Sequence, residues 1–267
     1  MAAKWDPNTP WTGEPKAIVF TDFDGTITLK DSESPLRKTD NVGYGLERRR
    51  ELNLEILHGR WSFRDAFKDM LDSVKLPFPE CIELLRKNIK LDPGFKPFFD
   101  WCLSKGIPVI VLSSGMEPII RALLTDLVGP EAEKIEIISN QVKFTDKGWE
   151  IAYHDDSHFG HDKSLAIRPY NTKPKGQRPT LFYCGDGVSD LSAARETDLL
   201  FAKHGHDLIT YCQQEGIPFT VFYTFEDIHQ KVKDVVEGRT TTEEVAAEGL
   251  ILAEQEGEEE ATKINMP

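Results

Sequence analysis

Four carboxylates, one lysine and a short hydroxyl-bearing turn have the types and spacing to do chemistry in this chain. Asp22 and Asp24 stand two residues apart in Phe20-Thr21-Asp22-Phe23-Asp24-Gly25-Thr26. Side chains alternate along an extended chain, so both acids point to one side. Like charges that close are unfavourable unless a cation sits between them or one takes up a proton. Asp186 and Asp190 form a second pair in Gly185-Asp186-Gly187-Val188-Ser189-Asp190. Clustered carboxylate oxygens make a hard-cation site, and Mg²⁺ is the usual partner of a phosphate group. A carboxylate can attack phosphorus to form an aspartyl-phosphate. A second acid two residues on can protonate the leaving alkoxide and then deprotonate the attacking water. Ser113-Ser114-Gly115 reads as a strand end opening a helix, where free N–H groups favour an anion. Lys163, 23 residues before Asp186, would give a point charge to a phosphate oxygen or to the first aspartate. These groups together suggest phosphoryl transfer.

The elements that must position them follow an α/β rhythm. The apolar run Ala17–Phe20, within a strand from about Lys16 to Asp24, has the length and β-branched content of a buried strand. Further strands are expected at Ile107–Leu112, Lys134–Ser139, Thr180–Tyr183, Leu199–Ala202 and Phe219–Tyr223, with an antiparallel ribbon over Gln141–Tyr153. Helices are expected at Phe95–Lys105, Glu117–Leu127, from Asp162, at Ser189–Glu196 and at Phe225–Val236. Alternation of this kind implies parallel pairing and ligands beyond the carboxyl ends of the strands. Between residues 30 and 91 strand-like alternation is missing, and helices are expected at Leu46–His58, Ser62–Ser73 and Pro79–Lys90. The fold class is therefore α/β, a Rossmann-like parallel-sheet core with a small all-helical cap inserted after the first strand. Residues 1–15 read as an irregular lead-in, 16–29 and 92–236 as core, 30–91 as cap and 237–267 as an acidic tail.

The chain of 267 residues is 39% hydrophobic and 29% charged, with a net charge of −13. Nine acids against Arg239 and Lys263 give the tail −7 of that total, so it is either a marginal helix or a flexible solvating segment. The acidity argues against a nucleic-acid partner, whose phosphates need clustered lysine and arginine. Cys81, Cys102, Cys184 and Cys212 are scattered and form no CxxC pair, which fits reduced thiols. With no apolar run near bilayer length, the expected location is cytoplasmic, the nucleus left open, with neither a membrane nor an obligate protein partner. His154, His158 and His161 among Asp155, Asp156 and Asp162 carry zinc-type donors, but the loop is polar and their spacing suits a helix face poorly. A loop near the cap, with His161 in reach of substrate, is the simpler expectation. Lys173 and Lys175 rival Lys163, and Arg60 and Arg64 are cap residues able to meet a substrate hydroxyl or anion.

Asp22-Phe23-Asp24-Gly25-Thr26, Ser113 after Val109–Leu112, Lys163, and Gly185–Asp190 resemble, in order, the four motifs of the haloacid dehalogenase-like hydrolase superfamily. The helical insert is similar to the cap of its phosphoserine phosphatase-like branch. The resemblance covers about Lys16 to Val236. It implies Asp22 as nucleophile, Asp24 as general acid/base, and Ser113 with the Gly115 amide as holders of the phosphoryl group. It also implies Lys163 neutralising the transition state, and Mg²⁺ bound by Asp22, Asp186 and the Asp24 carbonyl, with Asp190 supporting that shell. Asp31 stands where the branch places a glutamate facing the serine ammonium. Ser114 and Ser189 stand where phosphoserine phosphatases carry glycine and asparagine, and the pattern looks closer to enzymes of polyol or sugar-like phosphates, including methionine-salvage phosphatases. The expected function is hydrolysis of a small phosphorylated metabolite, polyol or sugar phosphate ahead of phosphoserine, with Arg64 and Ser189 as candidate substrate contacts. A phosphomutase or phosphotransferase of the same fold, or a non-catalytic binding module, are the alternatives.

Overall fold

The computed structural model describes residues 15–29, 48, 51–52, 55–56 and 60–251. Asp31, the lead-in before Pro15 and most of the helix expected at Leu46–His58 lie outside them. In chain order the first elements are β1 (Ala17–Thr21), α1 (Phe63–Asp72), α2 (Phe78–Asn88), α3 (Phe95–Ser104), β2 (Val109–Met116) and α4 (Glu117–Val128). There follow β3 (Glu136–Thr145), β4 (Gly148–Ala152), α5 (Lys163–Ile167), β5 (Thr180–Gly185) and α6 (Leu191–Ala194). The last are β6 (Leu199–Lys203), α7 (Asp207–Glu215), β7 (Phe219–Phe222) and α8 (Phe225–Val236). The chain divides into two compact units, one with residues up to Asp22, Asp92–Val109 and from Ser164 onward, the other with Phe23–Leu91 and Ile110–Lys163.

In the first unit β1, β5, β6 and β7 run parallel, in that order. Their residues are almost wholly buried, which is why they read as continuous apolar runs rather than alternating ones. The register pairs Thr21 with Cys184, and Asp22 N–H donates to the Cys184 carbonyl at 2.8 Å. Asp22 and Asp186 therefore leave neighbouring strands at the same end. On the helical layer Phe95 meets Phe225 edge to face, ring centroids 4.9 Å apart, joining α3 to α8. Asp92, fully buried, accepts from the amides of Gly94 at 2.9 Å and Phe225 at 3.2 Å, so one carboxylate serves the starts of both helices. The acidic stretch starts as a helical run, 242–251, that buries Thr242, Val245 and Ala246. A methyl at Gly249 would lie 2.4 Å from Thr220 Cα, so the run packs directly on β7. That contact, invisible in a charge count, gives this part of the expected tail a buried face. The helix α7 was not expected; its inward face carries only Leu208 and Cys212.

In the second unit β2 pairs parallel with β3, and β3 antiparallel with β4. The strand expected at Lys134–Ser139 and the ribbon after it share one long strand: β3 serves β2 with its first half and β4 with its second. The cap helices pack on this hairpin. Phe78 of α2 meets Phe144 and Trp149, with centroids 5.6 and 5.3 Å away. Ser62 caps α1 by accepting from Asp65 N–H at 2.9 Å, the role its position predicts. An isolated bridge from Thr28 to Leu91 closes the base of the insert.

Candidate active site

In the first unit Asp22, Asp186 and Asp190 each present an oxygen within 4.8 Å of the others, the one group of three or more potential metal donors among the described residues. Asp22 is 6% exposed and Asp190 fully buried. The second pair is folded by its own loop. Asp190 Oδ2 accepts the amides of Asp186 and Gly187, both at 3.0 Å, and Oδ1 accepts the Tyr183 hydroxyl at 2.5 Å. Burial, aided by Asp190 and Asp22, holds the Tyr183 proton far above the ordinary range, so it donates at any working pH. His206 Nδ1 stands 3.0 Å from Asp186 Oδ2. An all-carboxylate donor set this tight fits a hard divalent cation such as Mg²⁺.

In the second unit the remaining chemistry gathers around a bulge. Pairing of β2 with β3 passes from Ser113 opposite Ser139 to Met116 opposite Asn140, leaving Ser114 and Gly115 as extra residues. The strand thus runs through the motif up to the helix, which starts at Glu117 as expected, so Ser113–Gly115 is a bulged strand end rather than the opening of that helix. Ser113 Oγ accepts the Gly115 amide at 3.0 Å, leaving its own proton to donate. A methyl on Gly115 would lie 3.2 Å from Ser113 Oγ and 3.4 Å from Asp24 Oδ2, which places that carboxylate beside the loop and makes glycine the fitting residue. Asp24 itself stands in a turn closed by Gly25 N–H on Thr28 Oγ1 at 3.1 Å, with Gly25 at φ +76°. Lys163, first residue of α5, is fully buried, far from the solvated lysine of the ordinary case. His161 Nδ1 meets the Ser113 carbonyl at 2.9 Å.

A family model, haloacid dehalogenase-like hydrolase, matches residues 19–195, two thirds of the chain. The chain belongs to that family. It is 58% identical over 217 residues to Pdp3-interacting factor 1 of Schizosaccharomyces pombe, covering 80% of this chain and 94% of the relative. It is 52% identical over 238 residues to a polyol phosphate phosphatase of Saccharomyces cerevisiae, covering 86% and 98%. Among solved structures, a phospho-aspartyl intermediate analogue of phosphoserine phosphatase shares the fold at a TM-score of 0.59 and 16% identity, covering 82% of this chain and 99% of that one.

Other expected site residues of this haloacid dehalogenase-like hydrolase have structural partners. Arg64 of α1 lies 4.4 Å over the Tyr153 ring and donates to the Asp155 carbonyl at 2.6 Å, while the Tyr153 hydroxyl donates to the Arg64 carbonyl. Arg60 pairs with Glu55 at 2.6 Å. Ser189 is half-buried in the short turn Val188–Asp190. Lys175 donates to Thr242 at 2.7 Å and pairs with Glu243, anchoring the 242–251 helix rather than the site. Ser114 is half-buried, and its carbonyl accepts from Asn140 Nδ2 at 2.7 Å. Tyr183, Asn140 and His206 escaped the sequence reading. Tyr183 alone left a signal, a hydroxyl following the apolar Leu181 and Phe182 three residues before Asp186.

Proposed function

We propose that this protein removes phosphate from a small phosphorylated polyol or sugar alcohol through an aspartyl-phosphate on Asp22, with Mg²⁺ as its cation. A phosphatase of small phosphorylated metabolites is what its family and relatives make it. The tight set of Asp22, Asp186 and Asp190 supports the rest of the reading, since a cation bound there would lie against the buried carboxylate assigned as nucleophile. A divalent cation held by Asp22, Asp186, Asp190 and the Asp24 carbonyl would supply positive charge to the phosphoryl oxygens.

An Asp22 oxygen attacks phosphorus and the ester P–O bond breaks as Asp24 gives its proton to the leaving alkoxide. Water, losing a proton to Asp24, then attacks the phosphorus and frees the Asp22 carboxylate and orthophosphate. The Ser113 hydroxyl and the loop amides hold phosphoryl oxygens, and Lys163 balances the charge that develops on them. The polyol preference draws support from the yeast relative and from Ser114 and Ser189. A cytoplasmic location fits the four free, buried cysteines, and no described helix is long and apolar enough to cross a membrane.

The test is orthophosphate release from glycerol phosphate, other polyol phosphates, sugar phosphates and phosphoserine, with Mg²⁺ and with excess chelator. Asp22→Asn should lower kcat on the order of 10⁴-fold, as loss of a nucleophile does. Release that survives this change would sink the nucleophile assignment. A preference for phosphoserine over every polyol would overturn the substrate class.

A further inference from the structure

The carbonyls of Ser113 and Ser114 both accept from side chains far along the chain. We infer that His161 and Asn140 are positioning residues, clasping the two peptide planes of the Ser113–Gly115 bulge so that the Ser114 N–H and the Ser113 hydroxyl present a fixed cradle to the phosphoryl group. The inference rests on that loop holding the phosphoryl group, as proposed above.

A trans peptide is planar, so fixing a carbonyl fixes the next residue's N–H in the opposite direction. His161 Nδ1 on the Ser113 carbonyl at 2.9 Å therefore sets the Ser114 N–H. Asn140 Nδ2 on the Ser114 carbonyl at 2.7 Å sets the Gly115 N–H, which donates to Ser113 Oγ at 3.0 Å and so fixes the hydroxyl that faces the phosphoryl group. Neither clasp can reverse its polarity. A carbonyl only accepts, so His161 carries its proton on Nδ1. Asn140 Oδ1 accepts the His154 amide at 2.8 Å, which fixes which end of its amide faces Ser114. The His154 ring meets the His161 ring edge to face with centroids 4.7 Å apart, tying the two clasps together.

Packing alone does not account for His161. It is 1% exposed, and its Nε2 has no hydrogen-bond partner among the described residues. An apolar side chain would fill that space without burying an unsatisfied nitrogen. Burial, with the Lys163 charge adding to it, pushes the imidazole down to about 4, so it stays a neutral donor where a second cation would compete for the loop. Asn140 is likewise fully buried, and it pairs with Met116 where the bulge ends.

Three substitutions at His161 separate positioning from filling, because asparagine can place an N–H where Nδ1 is and glutamine cannot. His161→Ala should lower kcat/KM about 100-fold, the scale of a misplaced reacting group, and weaken inhibition by orthophosphate in parallel. His161→Asn should recover most of both, and His161→Gln should not. Melting temperatures identify any variant that fails to fold, in which case the contrast between the Asn and Gln variants decides. Wild-type kinetics in His161→Ala, or equal kinetics in His161→Asn and His161→Gln, would overturn the inference. Ser113→Ala separates it from the reading beneath. Unweakened orthophosphate inhibition in Ser113→Ala would overturn the cradle and the clasp with it. Weakened inhibition there beside wild-type kinetics in His161→Ala would overturn the clasp alone.

Discussion

The acid cluster and the bulged loop both hold polar groups in fixed directions, over very different chain distances. Asp190 is pinned by amides three and four residues away and by a hydroxyl seven away. The Ser113 carbonyl is pinned by a residue 48 away, and the Ser114 carbonyl by one 26 away. The first region is a property of one loop and the strand that enters it. The second exists only once β3 and the 153–163 loop are in place around β2. It should therefore be the more fragile of the two, and its charge, from buried Lys163, the harder to replace.

Within the second region the largest effect expected is at that lysine. Lys163→Met keeps the stem that fills the buried space and removes the charge. It should lower kcat about 10³-fold, the scale of losing one preorganised stabiliser of transition-state charge. Single-turnover phosphate release checks it, and a small change would mean the second region adds shape but no charge.

Acid should then distinguish the regions. His161 is held at about 4 against an ordinary 6.5, chiefly by burial, so below 6.5 the unfolded chain takes up a proton that the folded chain refuses. Its contribution is whole above pH 6.5 and declines as pH falls toward 4. The total loss is about 3 kcal/mol, roughly 2 of it by pH 5. Urea midpoints at pH 7 and pH 5 measure the difference, and in His161→Asn that share of the slope should be missing. The Tyr183 clasp on Asp190 carries a proton that burial secures, and contributes no such slope.

The same contrast explains what was legible in the sequence. Asp22, Asp186 and Asp190 could be read because strand, turn and acids are contiguous, and parallel strands deliver their carboxyl ends to one side. Of the three helices expected between residues 30 and 91, α1 and α2 were legible, from apolar spacing and a capping serine. The bulge was not, because Ser113–Gly115 reads equally well as a strand end or a helix start, and only the register against β3 decides. Asn140 and His161 were obscure for the same reason: one lies in a strand and the other in a polar loop, and neither sequence neighbourhood names the carbonyl it holds. The helical face of 242–251 was hidden beneath its charge, with Val245 and Ala246 too few to show a periodicity.

The smallest effect expected tests whether local pinning is as redundant as it looks. Tyr183→Phe removes one oxygen from a fully buried site and leaves Asp190 its two amide donors. Loss of that buried hydroxyl hydrogen bond should cost about 1 kcal/mol or somewhat more in stability. Partners of metal-binding carboxylates typically change metal affinity by about 10-fold or more, and with two donors remaining the shift here belongs at the lower end of that range. The Mg²⁺ concentration giving half-maximal phosphatase activity should rise accordingly, while kcat at saturating Mg²⁺ stays near wild type, because Asp22 and Asp24 are untouched. A fall in kcat/KM at saturating Mg²⁺ as large as in His161→Ala would mean that the acid cluster depends on a single clasp just as the bulged loop does, and the distinction between the regions would collapse.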